Sequence, residues 1–451
     1  MEITEQTEKI EAKKTGLRYA WYVVIVLMVI YTLSFIDRVI LSLLVTPIKR
    51  DLGISDTQIG LLQGLAFAIF YTLLGFPLGW IADRYSRRNL IAVGVLFWSL
   101  MTAVCSLALS FTSLFFARMG VGIGEATLGP SAFSLISDYF PKERLGSALS
   151  VYAMGIFIGS GTALIVGGTI VAAVQDMPAA TVPVIGTIAS WRLTFLIVGL
   201  PGLLIGLLAF TVREPLRKSL LRSEGQVSRL TIAEVVDQLL LRWKSVVRVS
   251  LALSAQAMCN YAIIGWAPTY FLRVHNWKLN QTGLVLGVMI LTVGIIGMYC
   301  GGRLCDHWLQ RGIRQAPLKV GVVSTVWAGI FFGLSMSMPN LTWLLILMAP
   351  AQFFLAMPVG SSYAALQLIF PNQMRGQVSA LLIFTINIGG LMLGPFLPGF
   401  LNNYFFDDEN MVGYSLTLTV VFASFLSAIL FRTSYRSYRK HYELMHGLDQ
   451  K

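Results

Sequence analysis

Apolar runs recur along this chain at near-regular intervals, separated by short polar stretches. A helix rises 1.5 Å per residue, so about 20 mostly apolar residues cross the hydrocarbon core of a bilayer. Windows of that length predict twelve spans, at roughly 20–45, 57–81, 89–110, 112–136, 144–172, 191–212, 246–274, 280–303, 317–337, 341–369, 374–403 and 411–431. Glycine and proline interrupt several of them, which bundled membrane helices tolerate because neighbours satisfy the freed backbone groups. The alternating ten-residue pattern of a membrane barrel is missing. The expected fold class is an all-α integral membrane protein with twelve transmembrane helices.

Composition agrees. Of the 451 residues, 56% are hydrophobic and only 12% charged, with mean hydropathy +0.71, more apolar surface than a soluble domain hides. The polar first eighteen residues lack the basic start, apolar core and cleavage site of a signal peptide, so the first span is expected to be retained. Placing the N-terminus inside puts 27 of the 34 Lys and Arg on the cytoplasmic side, five outside and two, Arg38 and Arg118, within spans. Both termini are then cytoplasmic, and a bacterial inner membrane is the expected location. The net charge of +12 reads as a topology and lipid-surface signal, with no nucleic-acid partner implied. Cys105, Cys259, Cys300 and Cys305 lie in or at the end of apolar spans, without disulfide or metal spacing. None of His275, His307, His441 and His446 falls mid-span.

The longest internal polar stretch, from Arg213 to about Lys244, divides six spans from six. The expected organisation is a tail over 1–19, a bundle over 20–212, a linker over 213–245, a second bundle over 246–431 and a tail over 432–451. Within the linker, Leu230, Ala233, Val236, Leu239, Leu240 and Trp243 recur at helical steps behind a capping box of Thr231 and Glu234. This predicts a short amphipathic helix along the inner membrane face. The two halves echo each other. Gly79 precedes Asp83 by four residues in "GWIADRYSRR", as Gly302 precedes Asp306 in "GGRLCDHW". A second echo, "FPKERLGSALS" against "FPNQMRGQVSALL", aligns Pro141 with Pro371 and Arg144 with Arg375. Matched landmarks in two six-span halves indicate two pseudo-symmetric bundles, a transporter architecture with substrate near the midplane.

"GWIADRYSRR" resembles the signature between spans 2 and 3 of the major facilitator superfamily, with Ser86 where that family usually has glycine. "ARMGVGIGEATLGPSAFSLISDYF", the pair Asp37 and Arg38, "LGISDTQIGLLQ" and "SWRLTF…REP" together resemble its spinster-like branch. That resemblance implies lysophospholipids or sphingosine-phosphate-like lipids as cargo, with proton coupling. An Asp-Arg pair in span 1 also occurs in organic-anion/proton symporters.

The chemistry lies in charge at depth. Asp37, Arg38, Arg118 and Glu125 sit mid-span, where each costs on the order of 2.5–3.5 kcal/mol on insertion scales. Counting from the outer ends of spans 1 and 4 puts Asp37 about 12 Å deep, Arg118 roughly 9 Å and Glu125 roughly 20 Å. Asp37 and Arg118 are thus level, and the expectation is that one of Asp37 and Arg38 partners Arg118 while the other faces substrate or Glu125. Asp37 and Glu125 are the candidate proton carriers, the proton being the coupling ion and no other cofactor being expected. Arg38 and Arg118 are candidate ligands for an anionic head, with Tyr31, Asn260, Tyr261, Ser362 and Tyr363 around the cavity. Gly79, Asp83, Arg84, Arg88, Arg144, Asp306 and Arg375 are the candidate conformational gate at the inner surface.

No nucleotide-binding loop, zinc-protease motif or serine elbow occurs, so an enzyme is not expected and any uphill transport must draw on an ion gradient. The reading is a monomeric secondary transporter of an amphipathic anionic lipid. The alternatives are a carrier of small organic anions such as sugar acids and, from another class, a non-transporting membrane sensor.

Overall fold

The computed structural model describes residues 2–82, 84–175, 180–182, 186–215, 232–362, 365–371, 374–445 and 447. Asp83, Thr231, Tyr363 and His446 lie outside them, as does the side chain of Arg375. Among the described residues, eleven helices are long and apolar enough to cross a membrane. The twelfth span, expected as one helix over 112–136, is built from two.

The described residues are almost wholly helical. The first six spans are formed by α1 (Glu2–Leu43), α2 (Val45–Leu52), α3 (Asp56–Gln63), α4 (Leu65–Ala82), α5 (Arg87–Val104), α6 (Phe111–Glu125), α7 (Leu128–Tyr139), α8 (Lys142–Ala153), α9 (Gly155–Gln175) and α10 (Ser190–Leu208). A two-stranded antiparallel hairpin, β1 (Ala180–Val182) with β2 (Gly186–Ile188), pairs Thr181 with Thr187 between α9 and α10. The linker helix is α11 (Ile232–Leu241). The remaining spans are α12 (Trp243–Val274), α13 (Leu279–Met289), α14 (Ile295–Gln310), α15 (Ala316–Met336), α16 (Leu341–Ser361), α17 (Arg375–Ile386), α18 (Leu393–Leu401) and α19 (Val412–Met445).

Local chemistry sets the starts and breaks. Ser55 caps α3 by accepting from the Gln58 N–H, while Gln58 Oε1 accepts from the Ser55 N–H, a closed capping box. Ser110 closes a similar box with Ser113 at the head of α6. The fourth span divides at Ala126 and Thr127 because Pro130, four residues on, has no N–H for the Ala126 carbonyl and crowds it. Thr127 turns its hydroxyl back onto the Gly124 carbonyl at 2.8 Å. The break leaves Glu125 as the last residue of α6. In the same way a π-turn over Asn387–Met392 precedes Pro395, whose ring faces the Leu391 carbonyl position.

Residue contacts divide the chain into two units. The first holds 1–38, 70–163 and 174–227. Here glycine lets helices touch backbone to backbone: a Cβ on Gly159 would sit 2.6 Å from Phe35 Cβ, and one on Gly124 2.7 Å from Trp98 Cβ. The second holds 39–69, 164–173 and 228–451. Val246, Leu253, Phe370, Val378, Phe431 and Tyr438 belong to its buried core. Within it α3 lies so close to α18 that a Cβ on Gly60 would be 2.7 Å from the Pro395 carbonyl oxygen.

Candidate functional site

Three charged clusters stand out, and only one of them coincides with the residues singled out from sequence.

The first lies in the first unit, where α1 meets α5 and α6. Arg38 and Glu125 form a buried ion pair, with Nη2 and Nε at 2.6 and 2.7 Å from Glu125 Oε2. Ser34, one turn before Arg38, donates to the same oxygen at 2.8 Å. The guanidinium also lies over the rings of Phe35 (4.9 Å) and Tyr71 (4.8 Å), contacts that hold a desolvated cation. Arg118 donates from Nη1 to the main-chain oxygen of Asp37 at 3.0 Å. The expected level placement of these two residues is therefore met through the backbone, not through the Asp37 carboxylate. That carboxylate is fully buried, and neither oxygen has a hydrogen-bond partner. Trp98 and Thr102 of α5 face it, short of hydrogen-bond geometry.

The neutral candidates are mostly occupied by the fold. Tyr31 stacks on Tyr152 with ring centres 4.7 Å apart. Ser362 is fully buried and donates to the Pro317 carbonyl at 2.8 Å. Asn260 donates to Gln256 O one turn back on its own helix, at 3.3 Å. Tyr261 packs against the apolar core of the second unit.

The second cluster, at the loop between α4 and α5, has Arg87 at its centre, a residue the gate assignment omitted. Arg87 is 1% exposed. It meets Asp138 at 2.5 Å, Ser134 at 2.8 Å and Glu214 at 2.8 Å. Glu214 also accepts from the Arg88 main-chain N–H at 3.0 Å and from the Ser86 hydroxyl at 3.1 Å. Ser86, where a tight-turn glycine was anticipated, thus caps α5 and grips Glu214. By contrast Arg84 is exposed and lies over Trp80 at 3.7 Å, and Arg144 and Asp306 are exposed. The side chain of Arg88 reaches Asn89, not an opposing carboxylate. At Gly79 an added Cβ meets only Pro130 Cβ at 3.8 Å, an ordinary contact, so this glycine is not required by close helix packing.

Burial pushes the Glu214 carboxyl up, but the Arg88 N–H, the Arg87 guanidinium and the Ser86 hydroxyl outweigh it and hold it below its usual value. A carboxylate held low in the fold adds stability above its unfolded pKa, about 4.3, and loses it as pH falls through the lower folded value. Glu214→Gln should therefore melt below the wild type in detergent near neutral pH, and the gap should close as the pH drops below about 4. A gap unchanged down to about pH 3 would show that the ionised carboxylate does not hold this corner.

The third cluster was not anticipated at all. Asp56, the first residue of α3, is fully buried among Lys49 Nζ at 2.5 Å, Arg273 Nη1 and Nη2 at 2.7 and 2.9 Å, and Asn402 Nδ2 at 2.9 Å. Glu409 joins from above, 2.5 Å from Lys49 and 3.6 Å from Arg273. Asn403 accepts from the Thr57 N–H at 2.8 Å and from its hydroxyl at 3.0 Å. All of these residues belong to the second unit. They pin the 49–57 segment to the ends of α12 and α18.

Among the described residues no group of His, Cys, Asp and Glu is arranged to hold a metal. The four cysteines are free, three of them buried.

A polytopic helical fold with ionisable groups sequestered mid-span and charge networks at its ends defines a membrane transporter rather than an enzyme. The chain belongs to the Major Facilitator Superfamily, whose model matches residues 27–391. It is 29% identical over 95% of its length to an MFS-type efflux pump of Mycolicibacterium smegmatis, covering 96% of that protein. It is 26% identical over 84% of its length to a hexuronate transporter of Bacillus subtilis, covering 87% of it. In structure it is similar to a bacterial homologue of the human lysosomal transporter Spinster in an inward-facing, unoccupied conformation. That match has TM-score 0.77 and 25% identity, over 94% of this chain and 98% of the other.

Proposed function

We propose that this chain is a proton-coupled secondary transporter of an amphipathic anion, a lysophospholipid or sphingosine-phosphate-like lipid. The observation that carries the reading is the Arg38–Glu125–Ser34 cluster beside the unpartnered Asp37 carboxyl group. Glu125 occupies Arg38 as an anionic head would. A proton taken up by Glu125 neutralises it and releases Arg38 to a phosphate or carboxylate, so that cargo and proton exchange charge at one guanidinium. A buried carboxyl group without a hydrogen-bond partner, such as Asp37, is a second place to load a proton. No cofactor enters beyond that coupling ion. The bias of Lys and Arg supports both termini facing the cytoplasm of a bacterial inner membrane. The working unit is taken to be a monomer.

A lipid cargo is what the resemblance to the spinster-like branch implies, and the likeness in structure to the Spinster homologue agrees with that branch. The likeness to a hexuronate transporter favours the second reading, a small organic anion such as a sugar acid. Proteoliposomes containing the full chain, assayed with labelled lysophosphatidate and labelled glucuronate, with and without a pH gradient, separate the two. The expected result is lysophosphatidate movement accelerated by the gradient, with Asp37→Asn and Glu125→Gln keeping binding and losing the acceleration. Glucuronate transport without lysolipid transport would overturn the lipid reading. Full gradient-driven transport by both variants would overturn the proton assignment.

A further inference from the structure

On α19, Phe422, Phe425, Ile429, Arg432 and Arg436 follow one another at steps of three and four, so they share one helix face, and all are exposed. The face changes from apolar to cationic between Ile429 and Arg432. On α12 the exposed positions Leu251, Val247 and Lys244 make the same change in the opposite chain direction. The two helices are in register there. Ser427 donates to Ala252 O at 2.7 Å, Arg248 Nη1 to Thr433 O at 2.9 Å, and the Ser245 and Ser437 hydroxyls meet at 2.7 Å. Arg248 thus brings a third guanidinium to within a helical turn of Arg432 and Arg436, at the exposed edge where Thr433 lies.

None of Lys244, Arg248, Arg432 and Arg436 takes part in an ion pair among the described residues. This contrasts with Arg439 and Arg314 nearby, which both pair with Glu443. Four cations without a counter-carboxylate, directly below two apolar helix faces at the end of a membrane span, have the charge and depth profile of a phospholipid.

We propose that this edge of the α12–α19 pair is a binding site for a diacyl phospholipid with an anionic phosphodiester head. The phosphate is held by Arg248, Arg432 and Arg436, and the acyl chains lie along Val247, Leu251 and Ile429. Guanidinium forks match phosphate oxygens, and the apolar faces account for the chains. The site is separate from Arg38 and Glu125 and does not depend on which solute is carried.

The probe is phosphatidylglycerol, compared with phosphatidylcholine of identical chains, added to the full chain in detergent and read as bound adducts by native mass spectrometry. At about 1 kcal/mol for each basic residue near a charged surface, losing two arginines corresponds to roughly thirtyfold. Wild type should prefer phosphatidylglycerol by at least tenfold, Arg432→Gln/Arg436→Gln should abolish the preference, and Arg432→Lys/Arg436→Lys should keep most of it. Arg303→Gln, an exposed arginine on α14, should leave it unchanged. Equal retention of the two lipids by wild type, or an unaltered preference in the glutamine variant, would overturn the site. Full displacement of the lipid by glycerol phosphate would overturn the role of the apolar faces and leave only a phosphate site.

Discussion

Asp56→Asn is expected to release the 49–57 segment from the ends of α12 and α18. The carboxylate is fully buried and is shared by Lys49, Arg273 and Asn402. Without it two cations only about a tenth exposed keep just Glu409, whose side chain is 56% exposed. Breaking a buried pair by removing one partner costs on the order of 3–5 kcal/mol, enough to move a two-state equilibrium more than a hundredfold. The glycine contacts at Gly60 and Gly64 depend on the same approach and offer no hold of their own once it widens. Spin labels at the exposed positions Arg50 and Asp407, with the partly buried thiol of Cys300 changed to serine, report the distance directly. Wild type should give one short distribution and Asp56→Asn a longer, broader one, with Asp56→Asn/Arg273→Gln intermediate. An unchanged distribution in Asp56→Asn would show that apolar packing alone holds this segment in place.

That cluster was illegible in the sequence for a physical reason. Asp56 sits beside Ser55 and Gln58, whose local capping box explains an acidic residue at a helix start without any distant partner. Two of its partners, Arg273 and Asn402, are 217 and 346 residues away. The mid-span charges could be read because nothing local excuses a carboxylate inside an apolar run. Depth counting placed Arg118 level with Asp37, as found, but rise per residue says nothing about whether a guanidinium meets a side chain or a carbonyl. Ser34 escaped notice because a serine in a membrane helix ordinarily satisfies itself on the preceding turn, as Ser42 does on the Val39 carbonyl.

Proline explains the division of the fourth span. The apolar pattern over 112–136 does not change at Pro130, and proline within a membrane span is tolerated when neighbours compensate. The helix nevertheless ends at Glu125, and the end of α6 is where an ionisable side chain meets α1. Arg87 and Arg88 present the reverse case. Both were visible in one motif, yet only the fold distinguishes the buried hub from the arginine whose main-chain N–H, rather than its charge, does the binding.

Within the first unit, Arg38→Gln is expected to be the most damaging single change. Glu125 is fully buried, and Arg38 and Ser34 converge on its Oε2, two contacts from Arg38 and one from Ser34, while Oε1 has no hydrogen-bond partner. Removing the guanidinium leaves an ionised carboxylate served by one hydroxyl, a loss of about 3–5 kcal/mol. Glu125→Gln is milder, since an amide oxygen can still accept from Ser34 and Arg38 retains the faces of Phe35 and Tyr71. The double variant should recover much of the loss, because the pair is neutralised together. Melting of the purified chain in one detergent should rank wild type above Glu125→Gln and the double variant, with Arg38→Gln lowest. Losses from the two single changes that add within about 0.5 kcal/mol in the double variant would show that the two groups are not coupled in the folded protein. Transport separates the pair again: Arg38→Gln should lose cargo movement with or without a gradient, whereas Glu125→Gln should lose only its response to the gradient. A gradient-stimulated Arg38→Gln would mean that the cation anchors Glu125 without ever meeting the solute.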